Sequence, residues 1–304
     1  MNLWLPPAGE TLLARAPVTF ASGAAMRVKG MRWFRDTERR DIQGELAGWP
    51  EGPTYTARSA PGAGALNTLK GTAIAAGTLV WGALSSQGGG VGGPAGRTGA
   101  DKSHDHSDEV EDFPVIWAAP DTNARTLPWR LDPDRSPPAH YRTHAVITDL
   151  RLVIVGFPYV KGNDSCIDDE FLWDTSRSTI ASVELRDFKT DHDVKIVFTD
   201  GSWTRLGSVK RERLTRYLVE PLDFIPLDSL ASAQRETAER FASAQAPDAQ
   251  PPLVKQNPCG CFRVEVLAPS TVDPFFGHPG RHTVMNSAGV ELKLTEYHPD
   301  DFLT

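Results

Sequence analysis

The stretch from Ala145 to Leu206 leaves this chain few folds to choose from. In AVITDLRLVIVG the apolar runs Ala145–Ile147 and Leu152–Val155 flank Thr148-Asp149-Leu150-Arg151, the pattern of a β-hairpin. In VKIVFTDGSWTRLGS, Val194, Ile196 and Phe198 alternate up to Asp200-Gly201, a dipeptide that supplies the positive φ angles of a two-residue turn. FLWDT at 171–175 and STIASVELRDF at 178–188 add two strands between the hairpins. After Leu206, Ser208 is placed to cap a helix on which Leu214, Tyr217 and Leu218 share a face, and Pro221 ends it. The apolar stripe of that helix would close the mouth left by the strands, with Lys210, Arg211, Arg213 and Arg216 facing water.

Upstream, Ala14, Ala16, Val18 and Phe20 alternate as on a strand, and Pro17, which has no N–H to give a ladder, predicts an edge or a bend there. A long interval follows before the first hairpin. Its opening part places Arg27, Lys29, Arg32 and Arg35 around the aromatic pair Trp33 and Phe34. Cations meet phosphates while indole and phenyl rings enter a headgroup boundary, so these six residues form a candidate contact with an anionic membrane surface. The competing reading has Trp33 and Phe34 anchoring a basic loop onto the core.

Residues 66–84 contain an uncharged piece from Gly71 to Leu84, shorter than the roughly twenty residues of a spanning helix. A buried small-residue helix and an interfacial segment both fit it better than a membrane span. Residues 87–107 are rich in glycine but lack the lysine and Ser/Thr of a phosphate-binding loop. His104, His106 and Asp108 form an HxHxD pattern in a polar loop rather than behind a buried strand, which favours a solvated loop over a metal site. Phe113–Ala119 reads as a short strand, and the prolines at 128, 133, 137 and 138 make the following stretch an extended connector.

Asp164, Asp168, Asp169 and Glu170 lack the register of a calcium loop and read as a solvated acidic cluster. Three cysteines, with Cys259 and Cys261 one residue apart and Cys166 alone, match neither a disulfide framework nor a zinc ribbon. No metal or cofactor is expected, and the usual local signatures of hydrolases and dinucleotide enzymes are absent. A net charge of −7 argues against a nucleic-acid partner, since phosphate neutralisation needs a basic field. The opening MNLWLPPAGE has no positive n-region, so a cytoplasmic protein is expected, with peripheral attachment at the inner face of the membrane as its extension.

Thr148-Asp149-Leu150-Arg151-Leu152 and Asp200-Gly201-Ser202-Trp203, followed by the RLTRYLVEP helix, resemble the hairpin phrases of bacterial pleckstrin-homology-like domains, including their GRAM-type branch. The likeness covers Glu10–Phe20 and about 141–222. It implies a mainly β, α+β fold: a bent antiparallel sheet or partly open barrel capped by a C-terminal helix. It also implies a non-enzymatic binding or scaffold module for lipid headgroups or proteins, with no shared catalytic residues. The expected organisation is such a domain over 8–225 with 26–140 as a long insertion, a helix over 226–246 that Asp228 caps, a linker over 247–258, and a small β appendage over 259–304. The partner is expected to be an anionic lipid surface or a protein.

Overall fold

The computed structural model describes residues 2–21, 34–38, 40, 42–48, 115–131, 141–159, 167–186, 193–219 and 222–299. Among them the chain is mainly β, with thirteen strands and two α-helices, and its sheets do not close into a barrel. The 66–84 segment, the 87–107 glycine stretch, the HxHxD residues, Asp164 and Cys166 lie outside the described residues.

The first sheet takes β1 (Leu12–Pro17), β5 (Tyr141–Thr148), β6 (Arg151–Pro158) and β7 (Glu170–Ser176) in that order, all antiparallel. Ile147 faces Leu152 across the Asp149-Leu150 turn, as the sequence predicts. Thr148 Oγ1 accepts from the N–H groups of Leu150 and Arg151, which fixes that turn.

The second sheet runs β3 (Phe34–Arg35), β4 (Ile116–Trp117), β10 (Trp203–Gly207), β9 (Asp193–Phe198) and β8 (Ile180–Arg186), with β2 (Thr19–Phe20) also pairing β10. The second hairpin differs from expectation. Residues 199–201 separate the partners Phe198 and Ser202, and Gly201 takes φ of +83° at the end of this longer loop. Asp200 accepts from Ser202 N and Oγ, so its side chain shapes the turn instead of its φ angle.

Pro17 marks the bend. Val18 still donates to Thr143 O of the first sheet, while Ala21 donates to Arg205 O of the second. One N-terminal segment therefore stitches two sheets together, and the core lies between them. It gathers Leu13, Ala14 and Ala16 with Ile147, Ile154, Ile196, Phe198 and Leu206. α1 (Arg211–Leu218) closes it with Leu214, Tyr217 and Leu218, the face read from the sequence. Ser208 is not its N-cap; Lys210 is, and Ser208 Oγ donates to Pro17 O while accepting from Lys210 N.

Described parts of the expected insertion contribute apolar side chains to the core. β3 and β4 complete the second sheet, and Leu127 and Leu131 on two short 3-10 turns pack beneath it. Prolines exclude a long helix here but not single turns, which the extended-connector reading overlooked.

The C-terminal region is also more integrated than an appendage. β11 (Leu253–Gln256), inside the expected linker, pairs β12 (Phe262–Val266), which pairs β13 (Arg281–Met285). Alternation along β12 gives this third sheet two faces. Phe262 and Val264 pack with Ala238 of α2 (Ser232–Ser243), while Glu265 reaches Arg213 and Tyr217 of α1. Asp228 does not cap α2. It sits in a 3-10 turn, the N-cap is Ala231, and Gln234 Oε1 accepts from the Ala231 N–H.

Candidate functional site

Of the six residues expected at a membrane surface, Arg27, Lys29, Arg32 and Trp33 lie outside the described residues. Phe34 and Arg35 are described, and both are buried, at 0% and 5% exposure. Parallel pairing sets Phe34 beside Ile116 and Arg35 beside Trp117, so the two side chains take opposite faces of the second sheet. Phe34 meets the ring of Phe20 edge-on at 5.3 Å in the core. Arg35 shares its face with Trp203, Lys195 and Arg205, all buried. Neither residue reaches a surface, which corrects the expectation for this pair. Phe34 is part of the core.

In the acidic cluster Asp168 and Glu170 are exposed, as expected, and the correction falls on Asp169. Asp169 is buried, at 1% side-chain exposure, and its two carboxylate oxygens accept from Arg15 Nη1 and Nη2 at 2.6 and 2.7 Å. Trp4 N donates to the same carboxylate. Arg15 Nε donates to His144 Nδ1 at 2.9 Å, which fixes the tautomer: His144 Nε2 carries the proton and donates to Pro274 O at 3.0 Å. Burial first, and the neighbouring Arg15 cation second, hold the His144 pKa well below its ordinary value. His278 N donates to Arg15 O, and burial lowers the pKa of that imidazole to about 3. Arginine, carboxylate and two imidazoles look like the parts of a catalytic centre. Their geometry instead ties the C-terminal loop and the N-terminal segment over the outer face of the first sheet. Both ring nitrogens of His144 are engaged, and the ring is fully buried.

Arg213 is a third correction. The sequence places it on the water-facing side of the helix, yet it donates to Glu265 and to Pro279 O, and Tyr217 donates to the other oxygen of the same carboxylate. Arg263 Nε stands 4.0 Å from that group. Burial, together with the Arg216 and Arg213 cations, lowers the Arg263 pKa despite the attraction of Glu265. One carboxylate thus holds α1 to the third sheet among several guanidinium groups. No periodicity in the sequence could have linked Arg213 to Glu265, because the pair joins two elements through tertiary packing alone.

Two surface features remain. β8 forms one edge of the second sheet, and among the described residues no strand pairs its outer side. Ala181, Ser182, Glu184 and Leu185 are exposed, Leu185 at 42%, while Ile180 and Val183 pack against the core. The edge of the first sheet formed by β1 is covered instead, since His278 N donates to Arg15 O. The other feature is a cavity of ≈ 420 Å³ between the end of α2 and the start of β13. Cys259 is half-buried and Cys261 buried, at the turn between β11 and β12.

Among the described residues no group of three or more His, Cys, Asp or Glu could hold a metal ion, and no helix is long and apolar enough to cross a membrane. Comparisons with protein-family models, with curated proteins and with solved structures found no match to the chain.

Proposed function

We propose that the chain is a non-catalytic interaction module of the pleckstrin-homology-like type that binds an extended segment of a protein partner along β8. The architecture supports this reading: a four-stranded antiparallel sheet, a meander of β8, β9 and β10 turned against it, and a helix that closes the core. The open edge of β8 carries the functional part. An unpaired strand edge offers a row of backbone donors and acceptors to a partner strand, while exposed side chains such as Leu185 set specificity. A protein ligand takes precedence over a membrane because Phe34 and Arg35 are buried.

The test is chemical cross-linking in native extract, followed by hydrogen exchange on the purified complex. The expected result is slowed exchange at the β8 amides and at least tenfold weaker binding for Leu185→Lys, with an unchanged melting temperature. Protection elsewhere, or undiminished binding by Leu185→Lys, overturns the proposal. Flotation on vesicles with and without anionic lipid forms the second arm. Binding to anionic vesicles that is lost in Arg32→Ala/Trp33→Ala, with no protein captured, would assign the ligand to the membrane instead.

A further inference from the structure

The turn between β11 and β12 sets two cysteines on either side of one glycine. Gln256 pairs with Phe262 at the end of the ladder, and the chain reverses through Asn257-Pro258-Cys259-Gly260-Cys261. Two hydrogen bonds close this loop: Asn257 N donates to Cys261 O at 2.8 Å, and Gly260 N donates to Asn257 O at 2.9 Å. Gln256 Nε2 also donates to Gly260 O, so both backbone polar groups of the glycine are engaged. The ring of Pro258 fixes its own φ. The loop is therefore held in shape before any bond between the sulfurs forms.

Gly260 is the hinge. Its φ is +88°, a conformation that residues with a Cβ rarely adopt. Two Cα steps of about 3.8 Å hinged at one residue leave the Cα atoms of Cys259 and Cys261 roughly 5–7 Å apart, against roughly 4.4–6.8 Å across disulfides. The two thiols also differ in access. Cys259 is half-buried and open in part to solvent, whereas Cys261 is buried, at 8% exposure. An accessible attacking thiol beside a shielded resolving thiol is the arrangement of redox-responsive pairs.

We propose that Cys259 and Cys261 are a reversible dithiol–disulfide pair, oxidised by small disulfides of the glutathione type. The Cys259 thiolate attacks one sulfur of the oxidant, whose S–S bond breaks, and one glutathione leaves as the thiolate. The Cys261 thiolate then attacks the Cys259 sulfur of this mixed disulfide and expels the second glutathione. The protons given up by the two cysteines end on the two departing thiolates, so one glutathione disulfide is reduced as one internal disulfide forms. A ring closed over a single residue is strained, which makes its bond easily reduced and suits it to a transient rather than a structural role.

Trypsin isolates the pair, because Lys255 and Arg263 bracket a peptide, 256–263, that holds both cysteines and excludes Cys166. The full chain is equilibrated in buffers of glutathione and its disulfide, thiols are trapped by alkylation, and that peptide is weighed by mass spectrometry. The expected product is two hydrogens lighter and carries no alkyl group, and excess glutathione returns it to the doubly alkylated form. Cys261→Ser should stop at the mixed disulfide on Cys259. Cys259→Ser should take up glutathione at least tenfold more slowly than Cys261→Ser, since its remaining thiol is the buried one. The proposal is overturned if the parent peptide stays doubly alkylated in glutathione disulfide alone, or if the parent accumulates the mixed disulfide. Joining of either cysteine to Cys166 or to a second copy, in place of the internal bond, overturns it equally.

Discussion

Replacing Glu265 by glutamine tests how the C-terminal region is held to the sandwich. The carboxylate is 6% exposed and receives hydrogen bonds from Arg213 and from the Tyr217 hydroxyl. Gln is nearly isosteric, so packing is kept while the negative charge is removed and a donating NH2 is turned toward existing donors. The cations left behind are mostly buried, with side-chain exposures of 14% for Arg213 and 11% for Arg263. Removing one partner of a buried ion pair costs about 3–5 kcal/mol, because the remaining charge keeps its desolvation penalty. Arg213 retains its bond to Pro279 O, which places the expectation near the lower end, about 3 kcal/mol. Against a domain stability of roughly 5–15 kcal/mol that is a large fraction. Urea unfolding followed by tryptophan fluorescence is the assay, and the midpoint should fall with the slope unchanged. The cycle with Arg213→Met should return a coupling of about 1–3 kcal/mol, since the double variant no longer buries an unmatched Arg213 charge. A loss below about 0.5 kcal/mol for Glu265→Gln, or a coupling within about 0.5 kcal/mol of zero, would refute the reasoning.

Two further predictions concern the covering of the first sheet. Gly277 has φ of +70°, and a Cβ on it would overlap the backbone carbonyl of Arg15. Gly277→Ala should therefore destabilise by more than about 1 kcal/mol in thermal unfolding, and proteolysis should start in 273–280; an unchanged melting temperature would contradict the close approach. Acid should loosen the same region. His144 and His278 have folded-state pKa values below those of the unfolded chain, so the unfolded state takes up protons first as pH falls. Stability is complete above about pH 6.5 and declines below it, and for His278, with its value of about 3, the loss at pH 4 is on the order of 3 kcal/mol. His278→Gln should flatten the urea midpoint between pH 6.5 and 4, and a slope equal to the parent's would count against the buried imidazole.

The sequence made the local elements legible and left their joints hidden. The hairpin around Asp149-Leu150, the strands over 171–175 and 180–186, and the buried face of α1 follow from periodicity, because each is decided within a few residues. Pro17 could be read as a bend since its missing N–H is a local fact. β3 and β4 could not be placed: each has two residues, too few for alternation to register, and their pairing is settled by the strand beside them. Asp169 illustrates the harder limit. In sequence it belongs to a run of acids with every mark of a solvated loop, and only the approach of Arg15 gives it a buried partner. Phe34 meets the same limit, because an aromatic residue among arginines reads alike whether it faces a membrane or a core. The cavity had no sequence signal, since it forms where the end of one helix meets the start of a distant strand.

The hydrogen bond from His278 N to Arg15 O has a consequence for how the protein is made. β1 is made well before its ladder partner β5, which begins at Tyr141, and the cover for its other edge comes only with Gly277 and His278. Until β5 has been made the segment around Arg15 has no final partner on either side, and from there to residue 278 it has a partner on one side only. Contacts so distant in sequence slow folding, because a long loop must close before any of them forms. Completion of the first sheet therefore waits until residue 278 has been made. A nascent chain arrested between β10 and residue 277 would present β1 as an open edge, the form in which this protein is most exposed to aggregation and to chaperones.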